Sequence, residues 1–202
     1  KIFANYAVGF DNIDLEAAKK KGVMVSNTPG VLNEAVAEHS VALMLAVARR
    51  IAESDKFVRA GLYKGWAPML LLGGGFFGKT VGIIGLGRIG TKTAHIASQG
   101  FGAKVIYYDI RRNEDFEKEF PSGSIEFKPS IDEVLKDADF VSIHLPLTEQ
   151  TRHIINKEKL AMMKPTAYLV NTSRGPIVDE NALVEALKNK IIRGAGLDVF
   201  EF

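Results

Sequence analysis

The stretch Gly85-Leu86-Gly87-Arg88-Ile89-Gly90 follows directly on an apolar run, Val81-Gly82-Ile83-Ile84, and opens a helical pattern. Each glycine has a steric task at this spacing. Gly85 permits a tight turn, Gly87 lets the backbone come close to a phosphate, and Gly90 lets the helix pack against the strand. A helix starting at Arg88 and Ile89 would present N–H groups and the positive end of its dipole to an anion. Asp109 ends the next apolar run, where a carboxylate can accept from both hydroxyls of a ribose. This combination predicts a dinucleotide site, and the charge of Asp109 would repel a 2′-phosphate, which favours NAD over NADP. Arg111 and Arg112 lie just behind and could partly offset that repulsion.

A second cluster is Asn171-Thr172-Ser173-Arg174-Gly175, after the apolar run Ala167 to Val170. The planar fork of Arg174 matches a carboxylate, although taken alone it reads more readily as a solvated loop arginine. Asp198 also ends an apolar run and could be a site residue, a helix cap or part of a solvated turn. The four histidines, His39, His95, His144 and His153, stand apart from any carboxylate at motif spacing, and none is assigned as a catalytic acid. Spacings for a metal site, a Ser–His–Asp triad or a carboxylate pair are lacking.

These residues need a frame that brings strand ends together. Apolar runs of strand length alternate with helical patterns between Gly, Pro, Asn and Asp, the signature of a parallel α/β sheet. Strands are predicted at 2–6, 23–26, 79–84, 104–108, 140–144, 167–170 and 195–199. Helices are predicted at 15–20 capped by Asp14, 88–99, after Ser130, 157–163 capped by Asn156, and 180–189 capped by Asp179. One long helix is expected from 33 to 60, with Val36, Ser40, Leu43, Val47 and Ile51 on its apolar face. Residues 61–78 read as a loop rich in glycine and aromatics, and 111–128 as charged and irregular.

Composition narrows the class. The chain has 202 residues, 26 Lys and Arg against 24 Asp and Glu, and no Cys. No basic stripe suggests nucleic acid, disulfides and thiolate chemistry are excluded, and a reducing compartment such as the cytoplasm is compatible. The longest apolar run, Val41 to Ala48, is far short of the roughly 20 residues that cross a bilayer. The chain opens on Lys1 without a leader-like pattern and reads as a piece of a larger protein.

In order along the chain stand Ala4-Asn5-Tyr6-Ala7-Val8-Gly9-Phe10-Asp11-Asn12-Ile13-Asp14, Asn27-Thr28-Pro29-Gly30, Val36-Ala37-Glu38-His39, the glycine motif, His144-Leu145-Pro146-Leu147-Thr148, Asn171 to Gly175, and Leu197-Asp198-Val199-Phe200. In these blocks the chain resembles the D-isomer-specific 2-hydroxyacid dehydrogenases from end to end. Lys64-Gly65-Trp66-Ala67-Pro68 and Gly78-Lys79-Thr80 look most like the glyoxylate/hydroxypyruvate reductase branch, with phosphoglycerate dehydrogenases and NAD-sensing corepressors as alternatives. The resemblance implies a Rossmann-type doubly wound sheet over 29–202, preceded at 1–28 by a remnant of a flavodoxin-like substrate domain. It implies that Arg174 is catalytic and holds a substrate carboxylate, together with the backbone of Val8 and Gly9. Arg88 and Ile89 would take the pyrophosphate, Asp109 the ribose, Leu145, Pro146 and Thr151 the adenosine side, and Thr172, Ser173 and Asp198 the nicotinamide end. It implies a catalytic Glu one position beyond Phe202 and a catalytic His further on. The expected substrate is a small 2-oxo acid, and the expected assembly is a homodimer built on the 33–60 region, with Val41 to Leu45 at the interface or in the core.

Overall fold

The computed structural model describes residues 1–202. A short parallel pair, β1 (Ile2–Ala4) and β2 (Met24–Ser26), is joined by α1 (Leu15–Lys20), which Asp14 caps by accepting from the Ala17 N–H at 2.8 Å. The main unit contains β3 (Thr80–Ile84), α4 (Arg88–His95), β4 (Lys104–Tyr108), α5 (Glu114–Glu117), β5 (Ile125–Phe127), α6 (Ile131–Asp137), β6 (Phe140–Ile143), α7 (Lys157–Met162), β7 (Tyr168–Asn171), α8 (Glu180–Lys188) and β8 (Gly194–Leu197). Between the two units run α2 (Asn33–Ala48) and α3 (Ile51–Arg59).

The six strands of the main unit are all parallel, in the order β5-β4-β3-β6-β7-β8. The order reverses between β3 and β6, so the sheet is doubly wound with its switch point there. Strand side chains alternate between two cores. Val81, Ile83, Val105, Tyr107 and Val170 face α2 and α4, whereas Ile84, Ile106, Val141, Ile143 and Leu169 face α6, α7 and α8. Burial on both faces explains the almost uninterrupted apolar runs that made these strands legible. Gly82 lies mid-strand because a Cβ there would sit 2.6 Å from Val134 and 2.9 Å from Ala138.

The long helix expected over 33–60 is two helices. Arg50 takes the left-handed conformation (φ 56°), and the Ala48 carbonyl accepts from the Gly74 N–H at 2.7 Å instead of continuing the helical ladder. A loop distant in the chain thus ends α2, and Arg50 is held by Glu53 at 2.6 and 2.7 Å. The buried face of α2 is Ala37, Ser40, Val41, Met44 and Ala48; the expected stripe shares only Ser40 with it, and Ile51 is exposed. Residues 111–128 are not wholly irregular either, since they hold α5 and the edge strand β5. The first strand stops at Ala4, and the helix after the glycine turn passes into a π turn at Ile96–Gly100.

Candidate cofactor and substrate site

Because the strands are parallel, the ends of β3, β4, β6, β7 and β8 lie along one sheet edge, which collects the singled-out residues. At the end of β3, Gly85 has φ 96°, and a Cβ on it would lie 2.8 Å from the His144 carbonyl oxygen. A Cβ on Gly90 would lie 2.2 Å from the Gly85 oxygen, so the helix is pressed onto the turn. Gly87 differs, with nothing within 4 Å of its missing side chain. It opens α4 with no capping side chain, whereas Asp14, Asn113, Ser130, Asn156 and Asp179 cap their helices. The N–H groups of the first turn, at exposed Arg88 and half-buried Ile89, are thereby left to an acceptor from outside.

Asp109 closes β4 beside this turn. Its Oδ2 accepts from the Leu86 N–H and its Oδ1 from the Ile110 N–H, both at 2.7 Å. A cleft of about 440 Å³ opens there, lined by Leu86, Asp109, Arg111, Arg112 and Asn113 among others. An open glycine at an uncapped helix start, next to a carboxylate at the mouth of a cleft, fits a dinucleotide's pyrophosphate and ribose. Across the switch point, Leu145 packs over Gly85, and the Thr151 hydroxyl donates to the Pro146 carbonyl at 2.7 Å, closing the turn after β6. Under that turn, burial pushes the His144 imidazole down to about 4, so the ring is neutral, and it bonds Ser142 Oγ at 2.9 Å.

The Arg174 loop is shaped by Asn171. Its Oδ1 accepts from both Ser173 N and Ser173 Oγ, and its Nδ2 donates to the Arg174 carbonyl at 2.9 Å. Arg174 reaches back 163 residues to Asp11, with Nε donating to the carboxylate at 3.0 and 3.1 Å, while Nη1 donates to the Ser173 carbonyl at 2.7 Å. The guanidinium holds the Asp11 carboxyl below the usual carboxylate range. Gly9 lies flush against it, so close that a Cβ would fall 1.8 Å from Nη2. The Val8–Gly9 turn is fixed from behind, as Asn27 Nδ2 donates to the Val8 carbonyl and Asn5 Nδ2 to the Gly9 carbonyl, each at 2.8 Å. The fold therefore brings the Val8–Gly9 turn beside Arg174.

Residues 41–202 match the family described as D-isomer specific 2-hydroxyacid dehydrogenase, NAD binding domain. The chain belongs to the D-isomer specific 2-hydroxyacid dehydrogenases. It is 53% identical over its full length to the glyoxylate reductase of Korarchaeum cryptofilum, of which it covers 59%. Its fold is similar to that of the TT0316 protein from Thermus thermophilus (TM-score 0.91, 47% identity, all of this chain and 61% of that one). It is also similar to a D-lactate dehydrogenase from Aquifex aeolicus complexed with NAD and lactic acid (TM-score 0.87, 38% identity, all of this chain and 58% of that one). The chain thus spans about three fifths of the length of the relatives it matches. As an NAD-binding domain of this dehydrogenase family it binds NAD.

Other family-implied positions are placed less simply. The Thr172 hydroxyl bonds Ser40 Oγ at 2.8 Å in the interior, tying the Arg174 loop to α2. Asp198, just past β8, lies 3.3 Å from His39 Nε2. Sequence reading missed the Asp11 partner of Arg174, the Asn5 and Asn27 supports, and the His153–Glu201 pair at 2.8 Å. Each joins residues far apart in the chain, which no local pattern announces. The one available signal was the run of Asn and Asp through 5–14, whose side chains can bond backbone turns. No helix is long and apolar enough to cross a membrane.

Proposed function

We propose that the protein containing this chain interconverts a small 2-hydroxy acid and its 2-oxo acid, in the manner of a glyoxylate or hydroxypyruvate reductase. NAD supplies the hydride acceptor, and NADH the donor, when bound at the glycine turn. The observation that carries the reading is the seating of Arg174 against the Gly9 backbone on the same sheet edge as that turn. Nε and Nη2 lie 3.0 Å from Asp11 Oδ1 and Nη1 donates to Ser173, which fixes the plane of the guanidinium and leaves one further N–H on each terminal nitrogen for a carboxylate. A positive charge held so firmly also stabilises negative charge growing on the substrate oxygen without reorganising.

The acid that protonates that oxygen is assigned to the His expected beyond Phe202, with the Glu expected there raising its pKa. In support, all four histidines here have other partners: His39 with Asp198, His95 with Glu119, His144 with Ser142 and His153 with Glu201. Residues 1–28 are read as part of the substrate domain and 29–202 as the NAD-binding domain of a cytoplasmic protein, a placement the lack of Cys fits. A homodimer is proposed through α3 and the loop after it, where Val58, Leu62, Tyr63, Trp66, Met69 and Leu72 lie exposed.

The test is NADH oxidation by the full-length protein with glyoxylate, hydroxypyruvate and pyruvate. Turnover of glyoxylate or hydroxypyruvate is expected; NADH binding with no turnover of any of the three would indicate a nucleotide-sensing protein. The 202-residue chain alone should keep less than a tenth of the parental rate, because acid catalysis typically contributes about 10²–10⁴-fold. A higher rate would place the acid among its own four histidines.

A further inference from the structure

Two arginines follow Asp109, and the structure treats them differently. Arg111 is exposed and takes part in no ion pair. Arg112 is gripped by Glu117, with Nε 3.0 and 3.2 Å from the two carboxylate oxygens and Nη2 at 2.7 Å. Glu117 is itself anchored: the hydroxyl of the fully buried Tyr107 donates to its Oε1 at 2.7 Å and accepts from the Asn113 N–H at 2.9 Å. Asn113 in turn caps α5 by accepting from the Phe116 N–H. The carboxylate side chain is only 16% exposed, so the grip is partly shielded from water and salt. Glu117 does not line the cleft beside Asp109, yet Arg112 does.

The geometry points to Glu117 as a positioning residue for cofactor choice: anchored by Tyr107, it ties Arg112 into an ion pair at the cleft wall and so withholds one of the two guanidiniums that could meet a 2′-phosphate. This rests on the reading that the cleft takes the adenosine ribose of NAD. Asp109 then excludes the phosphate by repulsion, while Glu117 withholds one of two guanidiniums that could have answered it. Glu114 and Asp115 also line the cleft, so with Arg112 neutralised its balance is negative. Conversely, breaking the ion pair frees the forked donor of a side chain that already lines the cleft.

The experiment compares NADH and NADPH binding, by cofactor fluorescence, to the full-length protein and three variants. Glu117→Gln keeps the shape and the acceptor for Tyr107 but removes the charge; NADPH should bind roughly fivefold to tenfold tighter, as expected for one new charge-assisted contact, with NADH affinity unchanged. Arg112→Ala in the wild-type background should leave NADPH affinity unmoved, and in the Glu117→Gln background it should abolish the gain. Thermal melts establish that each variant is folded. If Glu117→Gln does not fold, the Arg112→Ala single variant still decides, since weaker NADPH binding there would show that Arg112 already faces the cofactor. An unchanged NADPH/NADH ratio in folded Glu117→Gln, an equal gain for both cofactors, or a gain that survives Arg112→Ala would overturn the inference. A wild-type protein that binds neither cofactor would instead overturn the reading of the cleft.

Discussion

Asp109 carries two duties that pull differently. Its carboxylate pins the glycine turn through Leu86 N–H and orders its own strand end through Ile110 N–H, and in the proposed cofactor site it would also accept from a ribose. Two oxygens with two lone pairs each can do both, since each backbone bond uses one. Asp109→Ser should therefore weaken NADH binding by about 10- to 100-fold, the worth of a charged hydrogen-bond pair. It should also narrow the preference over NADPH. Fluorescence titration with both cofactors checks this, and equal losses for the two would remove Asp109 from the discrimination. His144 makes a different residue-scale prediction. Its folded-state value near 4 lies below the ordinary 6.5, so between those two pH values the unfolded chain binds a proton that the folded chain refuses. Stability from this group is fully present above about pH 6.5 and falls as pH drops toward about 4. Urea melts at about pH 7 and about pH 4.5 should show a larger loss for wild type than for His144→Asn; an identical loss would mean the ring titrates normally in the fold. Carboxylates held low, among them Asp11, Glu117, Glu126 and Asp139, also lose stabilisation as the pH falls toward the ordinary carboxylate range, but they do so equally in wild type and His144→Asn, so the difference between the two isolates the imidazole.

At the scale of elements, the turn between β3 and α4 separates packing from binding. Gly90→Ala would drive a Cβ to 2.2 Å from the Gly85 oxygen, so the helix must shift; a loss of about 1–3 kcal/mol and of NADH binding is expected. Gly87→Ala meets nothing within 4 Å, so the melting temperature should hold while NADH affinity falls. If Gly87→Ala bound NADH as wild type does, the pyrophosphate would have to lie elsewhere. The same turn shows what was legible. Its glycines, the strand before it, Asp109 after it and four of the capping residues all act within a few positions of themselves, and local spacing revealed them. The break at Arg50 was illegible because Arg49, Arg50, Ile51 and Ala52 are acceptable helix formers, and the helix ends only when Gly74 takes the Ala48 carbonyl. The β5 edge strand hid for another reason, being three residues long inside a charged stretch. Likewise Arg174 looked like any loop arginine until Asp11 and Gly9 were folded onto it.

For the whole molecule, the α2 segment resolves an ambiguity left by its composition. Val41 and Met44 are buried within the subunit, so these two belong to the core, whereas α3 and the loop beyond it carry a run of exposed apolar side chains. Sedimentation at tens of micromolar should give a dimer for the full-length protein, and Trp66→Glu should shift it toward monomer without lowering NADH affinity. A wild-type monomer at that concentration would end the proposal that this face pairs with a second copy. Residues 1–36 contain no fully buried side chain, and their link to the main sheet runs largely through polar contacts such as Asp11 with Arg174.

The peptide between Phe200 and Glu201 lies directly on Gly175, where a Cβ would come within 2.0 Å of the Phe200 oxygen and 2.6 Å of the Glu201 nitrogen. There is no clearance for one to slide over the other. The Arg174 loop and the segment leaving β8 must therefore travel as one rigid body, and a mechanical push on either is felt by both.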